Sequence, residues 1–188
     1  GDWNNSSHWS FTSGGTPDPN DCQLPDALTN VVFDANSGFT PTSNTVSMPS
    51  SGAYVKDMTW INAPNNPIIS SPANTYQGYE MNIYGSITLQ NNMQYFVNNT
   101  YFRSQEMGNT ITTNGAVLKV NSDDTNFTSN FTFDSVGGWI LQDDLTIGYI
   151  GLLGGTFDTN GNTIRCESIN SGSSGSVSYS VTIYLSNS

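Results

Sequence analysis

The stretch Gly137-Gly-Trp-Ile-Leu-Gln-Asp-Asp-Leu-Thr-Ile147, continued by Gly154-Gly-Thr-Phe-Asp-Thr-Asn-Gly-Asn-Thr-Ile-Arg-Cys166, constrains the chain most. It is a run of short apolar-alternating segments, each broken by Gly, Asn or Asp before the alternation resumes. Gly115, Gly138 and Gly161 are 23 residues apart, as are Gly85 and Gly108. Thr-Asn-Gly occurs at Thr113 to Gly115 and again at Thr159 to Gly161. A fixed period of roughly 20–30 residues built of strands and turns is the mark of stacked coils. The spacing predicts an all-β chain, a right-handed parallel β-solenoid (β-helix), with a β-sandwich as the alternative. Residues 1–30 would form an aromatic loop cap and residues 31–188 the coils of one module. The expected inward residues are Ile83, Ile87, Leu89, Ile111, Leu141, Leu145, Phe157 and Ile164.

Along the chain, the first thirty residues carry Trp3, His8, Trp9 and Phe11 among turn residues, with Pro17, Pro19 and Pro25 keeping them irregular. A solenoid's first coil exposes unpaired strand edges, and Trp3, Trp9 and Phe11 are the expected lid over them. His8, a single histidine beside two tryptophans, is expected to be a packed or surface residue. Strands are expected at Val31–Ala35, Thr45–Met48, Ala53–Ile61, Met81–Leu89, Tyr95–Phe102, Thr110–Thr113, Ala116–Val120, Asn130–Phe133 and Val177–Leu185. The segment from Asn62 to Thr75, with Pro64, Pro67 and Pro72, must be an outward loop or crossover. No window sustains a 3.6-residue period, so almost no helix is expected.

Charge narrows the partners. Four basic against fifteen acidic residues give a net −11, which argues against nucleic acid and anionic membrane surfaces. No apolar run approaches membrane-spanning length. Asn, Ser, Thr and Gly carry the polar surface, and low Lys with an all-β texture fits an extracellular protein. The chain shows no secretory leader and opens directly on Gly1-Asp-Trp, as an excised module of something longer would. Cys22 precedes the first coil and Cys166 lies in a late one. Coils stack about 4.8 Å apart, so several coils exceed the roughly 7 Å Cα limit for a bridge. Two free thiols are expected, with Cys166 as a small apolar core residue.

Gly1-Asp-Trp-Asn-Asn-Ser-Ser-His-Trp-Ser-Phe-Thr-Ser-Gly-Gly15, then Leu24-Pro-Asp-Ala and Asn30-Val-Val-Phe-Asp-Ala-Asn-Ser37, resemble a recurring module of giant secreted surface proteins of Bacteroidetes. Those are adhesins exported by type IX secretion, some used in gliding motility. Ala53-Tyr-Val-Lys-Asp-Met-Thr-Trp60, Ile83-Tyr-Gly-Ser-Ile-Thr-Leu89 and the phrase from Gly155 to Cys166 fit the same pattern. Leu28-Thr29 departs from it, where an acidic or polar pair is expected. The resemblance implies an extended surface module, repeated in a filament, and supplies no catalytic residues. The expected strand Val177–Leu185 leaves an open edge with no charged residue after Glu167, so neighbouring modules, head to tail, are the expected partners.

No catalytic constellation stands out. Asp123-Asp124 and Asp143-Asp144 are paired carboxylates, but adjacent residues on a strand point to opposite faces. In a turn, Asp123 and Asp124 could hold Ca²⁺ with Asn121, Ser122 and carbonyl oxygens, although no calcium-loop consensus is present and turns favour Asp anyway. Lys56, Arg103, Lys119 and Arg165 are the only basic residues and none are neighbours, so a polysaccharide-active β-helix enzyme ranks third. A structural or adhesive surface module ranks first. A carbohydrate-binding module is the alternative, because Tyr and Trp stack on sugar rings; Tyr76, Tyr79, Tyr95 and Tyr101 are its candidate contacts. Asp134-Ser135-Val136 resembles the O-glycosylation signal of the same bacterial group, at Ser135.

Overall fold

Strands this short cannot bury an apolar face alone, so they gain stability only by stacking on copies above and below. The computed structural model, which describes residues 1–17, 20, 23–72, 79–119, 129–172 and the backbone of 181–184, shows that stacking. The first coil is β1 (Val31–Phe33), β2 (Thr45–Ser47) and β3 (Ala53–Val55). The second is β4 (Met58–Trp60), β5 (Ile68–Ser70) and β6 (Met81–Ile83). The third is β7 (Ile87–Thr88), β8 (Gln94–Phe96) and β9 (Asn99–Phe102). The fourth is β10 (Asn109–Thr112), β11 (Val117–Leu118) and β12 (Asn130–Phe133). Then come β13 (Gly138–Leu141) with β14 (Leu145–Leu152), β15 (Gly155–Asp158) with β16 (Ile164–Ser171), and β17 (Val181–Tyr184).

Three sheets result, ordered β1-β4-β7-β10-β13-β15-β17, β2-β5-β8-β11 and β3-β6-β9-β12-β14-β16. Every pairing between these strands is parallel. The chain is thus a parallel β-solenoid and not a sandwich of antiparallel strands. Its regular helix among the described residues is a single 3-10 turn, Ser6–His8. No helix among them is long and apolar enough to cross a membrane.

Among the described residues the second sheet has four strands. From β13 the chain turns through Gln142, Asp143 and Asp144 straight into β14, which is eight residues long. Leu145 and Ile147 in its first half are buried, so the lengthened strand closes the core that the second sheet closed below.

The coils are not of fixed length. In register they advance by 27, 29, 24 and 30 residues (Val31↔Met58, Met58↔Ile87, Ile87↔Ile111, Ile111↔Leu141). The next two steps are 18 and 26 (Gly138↔Thr156, Gly155↔Val181). The period of 23 is therefore corrected: Gly138 begins β13, whereas Gly115 and Gly161 lie in turns, and the three do not stack. What recurs is local turn chemistry. Asn114-Gly115 and Asn160-Gly161 hold φ values of 49°, 72°, 52° and 81°, the left-handed pair that Asn-Gly supplies at least strain.

Three expected strands each divide at a corner: Ala53–Ile61 into β3 and β4, Met81–Leu89 into β6 and β7, and Tyr95–Phe102 into β8 and β9. Alternation hides those corners, because the chain keeps its inward residues inward while bending. Ile83, Ile87, Leu89, Ile111, Leu141, Leu145 and Phe157 are buried as expected. Ile164 is only half-buried, packed beside the core near the end of the stack.

Register puts aromatic rings above one another at the strand spacing. Phe33 stacks on Trp60 with centroids 4.0 Å apart, and Phe102 on Phe133 at 4.9 Å. At the N-terminal end, Asp2 bridges to Ser47 in parallel, with Ser47 N donating to Gly1 O at 2.8 Å and Trp3 N to Ser47 O at 3.0 Å. The cap therefore covers the free edge of the second sheet. Trp3 is 2% exposed and meets Trp9 edge to face at 5.0 Å. Phe11 is not part of this lid; it is 78% exposed. Cys166 is a free thiol, half-buried against the core, and Cys22 lies outside the described residues.

Candidate functional site: the outer face of the third sheet

Period-2 alternation fixes which residues leave the third sheet outward. In β3, Ala53 and Val55 are buried and Tyr54 points out, 39% exposed. Parallel pairing then carries that outward column across the stack: Tyr54↔Asn82↔Tyr101↔Thr132↔Gly151. Beside it runs Asn99↔Asn130↔Tyr149, in which Asn130 Nδ2 donates to Asn99 Oδ1 at 3.2 Å. Arg103 and Asp134 follow β9 and β12 by one residue and face the same way.

Arg103 organises the centre. Its Nη1 donates to Asn82 Oδ1 at 2.6 Å, its Nη2 lies 3.5 Å from Asp134 Oδ2, and its Cζ sits 4.6 Å from the centroid of the Tyr101 ring. Asn82, 1% exposed beneath this guanidinium, turns its own Nδ2 to Ala53 O at 3.2 Å. The Arg103 and Asp134 side chains are about a third exposed, so their ion pair contributes at most about 1 kcal/mol and serves mainly to fix geometry. Burial raises the Tyr101 phenol above the ordinary tyrosine range, and the Glu80 carboxylate adds to this. At neutral pH the group is thus a ring with a hydroxyl donor. Proton abstraction would need the opposite shift.

Tyr149 joins the first column through a missing side chain. A Cβ at Gly151 would lie 3.1 Å from Tyr149 Cε1 and 3.1 Å from Thr132 Oγ1, so the ring leans into the place a side chain would occupy. Tyr54 and Tyr101 therefore stand two strands apart in one column, with Asn82 between them, and Tyr149, two strands further on in the neighbouring column, leans its ring toward the first at Gly151.

Of the tyrosines singled out from sequence, Tyr101 lies on this face. Tyr95 does not: it is fully buried, its hydroxyl paired with Thr100 Oγ1 at 2.7 Å, and burial holds its phenol well above the usual value. It is a core residue, because Gln94–Phe96 is a separate strand of the second sheet with its own inward position. Tyr79 is half-buried against the core, with φ 55° at the entry to β6. Tyr76 lies outside the described residues. Tyr54, Asn82 and Tyr149 are not among the sequence candidates, and Arg103 and Asp134 stand there only as an isolated base and as part of Asp134-Ser135-Val136, although a signal existed. Tyr54, Tyr101 and Tyr149 are separated by 47 and 48 residues, two coils each.

The paired carboxylates Asp143 and Asp144 are structural. Asp143 accepts from Thr113 N at 2.9 Å, from Thr113 Oγ1 at 3.1 Å and from Asn114 N, while Asp144 accepts from Thr163 N at 2.8 Å. Each ties its turn to a neighbouring coil. Asp123 and Asp124 lie outside the described residues, and among those described no three His, Cys, Asp or Glu side chains converge. Ser135 is half-buried in the turn after β12, with Val136 exposed beside it.

A cleft of about 660 Å³ lies at the cap, lined by His8, Trp9, Ser13, Phe33, Asp34 and Phe39 among others. Its polar groups are spent on attachment. Asp34 accepts from Ser13 and from Asn36 N, bonds that lower its carboxyl below the usual range. Exposed His8 has its Nδ1 3.1 Å from Asp2 O. No protein-family profile, no curated protein and no solved structure matches the chain.

Proposed function

We propose that this chain is a non-catalytic adhesive module of an extracellular, cell-surface protein, holding glycans on the outer face of its third sheet. The observation that carries this is the fixed cluster of Tyr101, Arg103, Asn82 and Asp134. Its half-exposed Tyr101 ring faces outward, held by Arg103 over the buried Asn82 amide, while Arg103 and Asp134 are tied to one another. Arg103 is committed to three neighbours, and Tyr101 has its proton held more tightly than usual. Aromatic faces beside planar amides bind sugars without transforming them. The likeness of the Gly1–Gly15 phrase to surface adhesins of Bacteroidetes supports the same setting. A glycan array probed with the intact chain should give saturable signals that Tyr101→Ala weakens by about tenfold. Signals on no glycan overturn the reading, as does release of new reducing ends abolished by one acidic substitution.

Ile169 adds a structural element to this proposal. It occupies the inward register of Phe131 and Ile150, yet it is 55% exposed. An apolar position of this kind suits a head-to-tail contact with a neighbouring module, a heterologous arrangement that propagates as a filament. Small-angle scattering on a two-module tandem should report a rigid rod; a bent, flexible dumbbell contradicts the filament.

A further inference from the structure

We infer that the third sheet takes an uncharged, extended, β-1,4-linked glycan laid along the solenoid axis, with Tyr54, Tyr101 and Tyr149 each meeting every second sugar. This rests on the glycan-adhesion reading above and specifies its ligand. Tyr54 and Tyr101 share one outward column, the ring of Tyr149 leans toward that column at Gly151 from the neighbouring one, and the register places two strand steps between successive tyrosine-bearing strands. Two steps are about 10 Å, which matches the disaccharide repeat of such a chain. Each β-1,4 linkage turns a ring over relative to the last, so rings of one orientation recur at alternate sugars. The positions between the tyrosines carry Asn82, covered by the Arg103 guanidinium, and Thr132, both buried and shorter than the flanking rings.

Gly151 is what completes the row. Any side chain there would press on Tyr149 and Thr132 at 3.1 Å, pushing the third ring out of line. Charge selects against acidic glycans. The guanidinium of Arg103, the cation at the centre of the face, is compensated by Asp134, with Glu80 close by. The chain as a whole carries −11, so a polyuronate would meet net repulsion.

The test is calorimetric titration of the intact chain with the di-, tetra- and hexasaccharide of β-1,4-linked glucose, xylose and mannose series, and with oligogalacturonates. Affinity for at least one neutral series should rise roughly tenfold with each added disaccharide, as one more ring is engaged. Tyr149→Ala should bring the hexasaccharide down to the affinity of the tetrasaccharide and leave the disaccharide unchanged. Neutral-glycan binding that ignores length, or that Tyr149→Ala leaves intact, overturns the axial row while glycan adhesion stands. Preference for oligogalacturonate overturns the uncharged ligand. Absence of binding to any saccharide removes the adhesion reading, and the row with it.

Discussion

The outer faces of the first and third sheets obey the same geometry and carry different chemistry. On the first sheet the outward column Val32↔Thr59↔Thr88↔Thr112 is β-branched throughout. Such side chains suit a pleated surface and explain themselves by strand propensity. On the third sheet the equivalent column is Tyr54, Asn82, Tyr101, Thr132 and Gly151. Strand propensity accounts for neither a buried asparagine held under an arginine nor a glycine near the end of a strand, which normally weakens it. Where an outer face departs from what folding alone favours, the residues responsible are the best candidates for function.

The largest effect that probes this contrast comes from beneath the tyrosine row. Phe102 lies one residue from Tyr101 and points inward among Phe131, Phe133 and Trp139. Phe102→Ala should cost about 3–5 kcal/mol in denaturant unfolding, and glycan binding should fail only as the fold fails. Ionisation of buried Tyr95 comes next. Its folded-state value is raised above the ordinary 10.0, so its contribution is fully present below that pH. Above it the unfolded chain loses the proton first, and stability declines as pH rises. Unfolding midpoints measured across alkaline pH should show this decline, and Tyr95→Phe should flatten it.

Tyr101→Ala should do the reverse of Phe102→Ala. Binding should weaken by about tenfold, while stability changes by no more than about 1 kcal/mol, the scale of a half-exposed contact. Thr88→Val, at the matching outward position on the first sheet, should move stability by less than about 0.5 kcal/mol and leave binding untouched. If Thr88→Val weakened binding as much as Tyr101→Ala, the distinction between the two faces would be lost.

The sequence carried the architecture further than the site. Short alternating segments with Asn-Gly and Asp punctuation suffice for a parallel stack, since inward residues such as Ile83, Ile87 and Leu89 keep their alternation through a corner. The same continuity conceals where corners fall, and Tyr95, a candidate glycan contact in the sequence, is the inward residue of a separate strand. Coil length varies between 18 and 30 residues in register, so neighbours on the face are far apart in sequence and no fixed period aligns them. Arg103 meets Asn82 and Asp134 across 21 and 31 residues. Such pairing depends on loop lengths, which apolar periodicity does not encode. The spacing of Tyr54, Tyr101 and Tyr149 was legible, but only at twice the coil length.

The most direct measurement is residue-resolved chemical-shift mapping of the intact chain titrated with the neutral hexasaccharide that binds most tightly. The expected shifts follow the line of Tyr54, Asn82, Tyr101, Thr132 and Tyr149, with Val32, Thr59, Thr88 and Thr112 unmoved. Shifts centred on the first sheet or on the cap cleft around Trp9 and Asp34, with the tyrosine row silent, would contradict the assignment of the third sheet as the binding face.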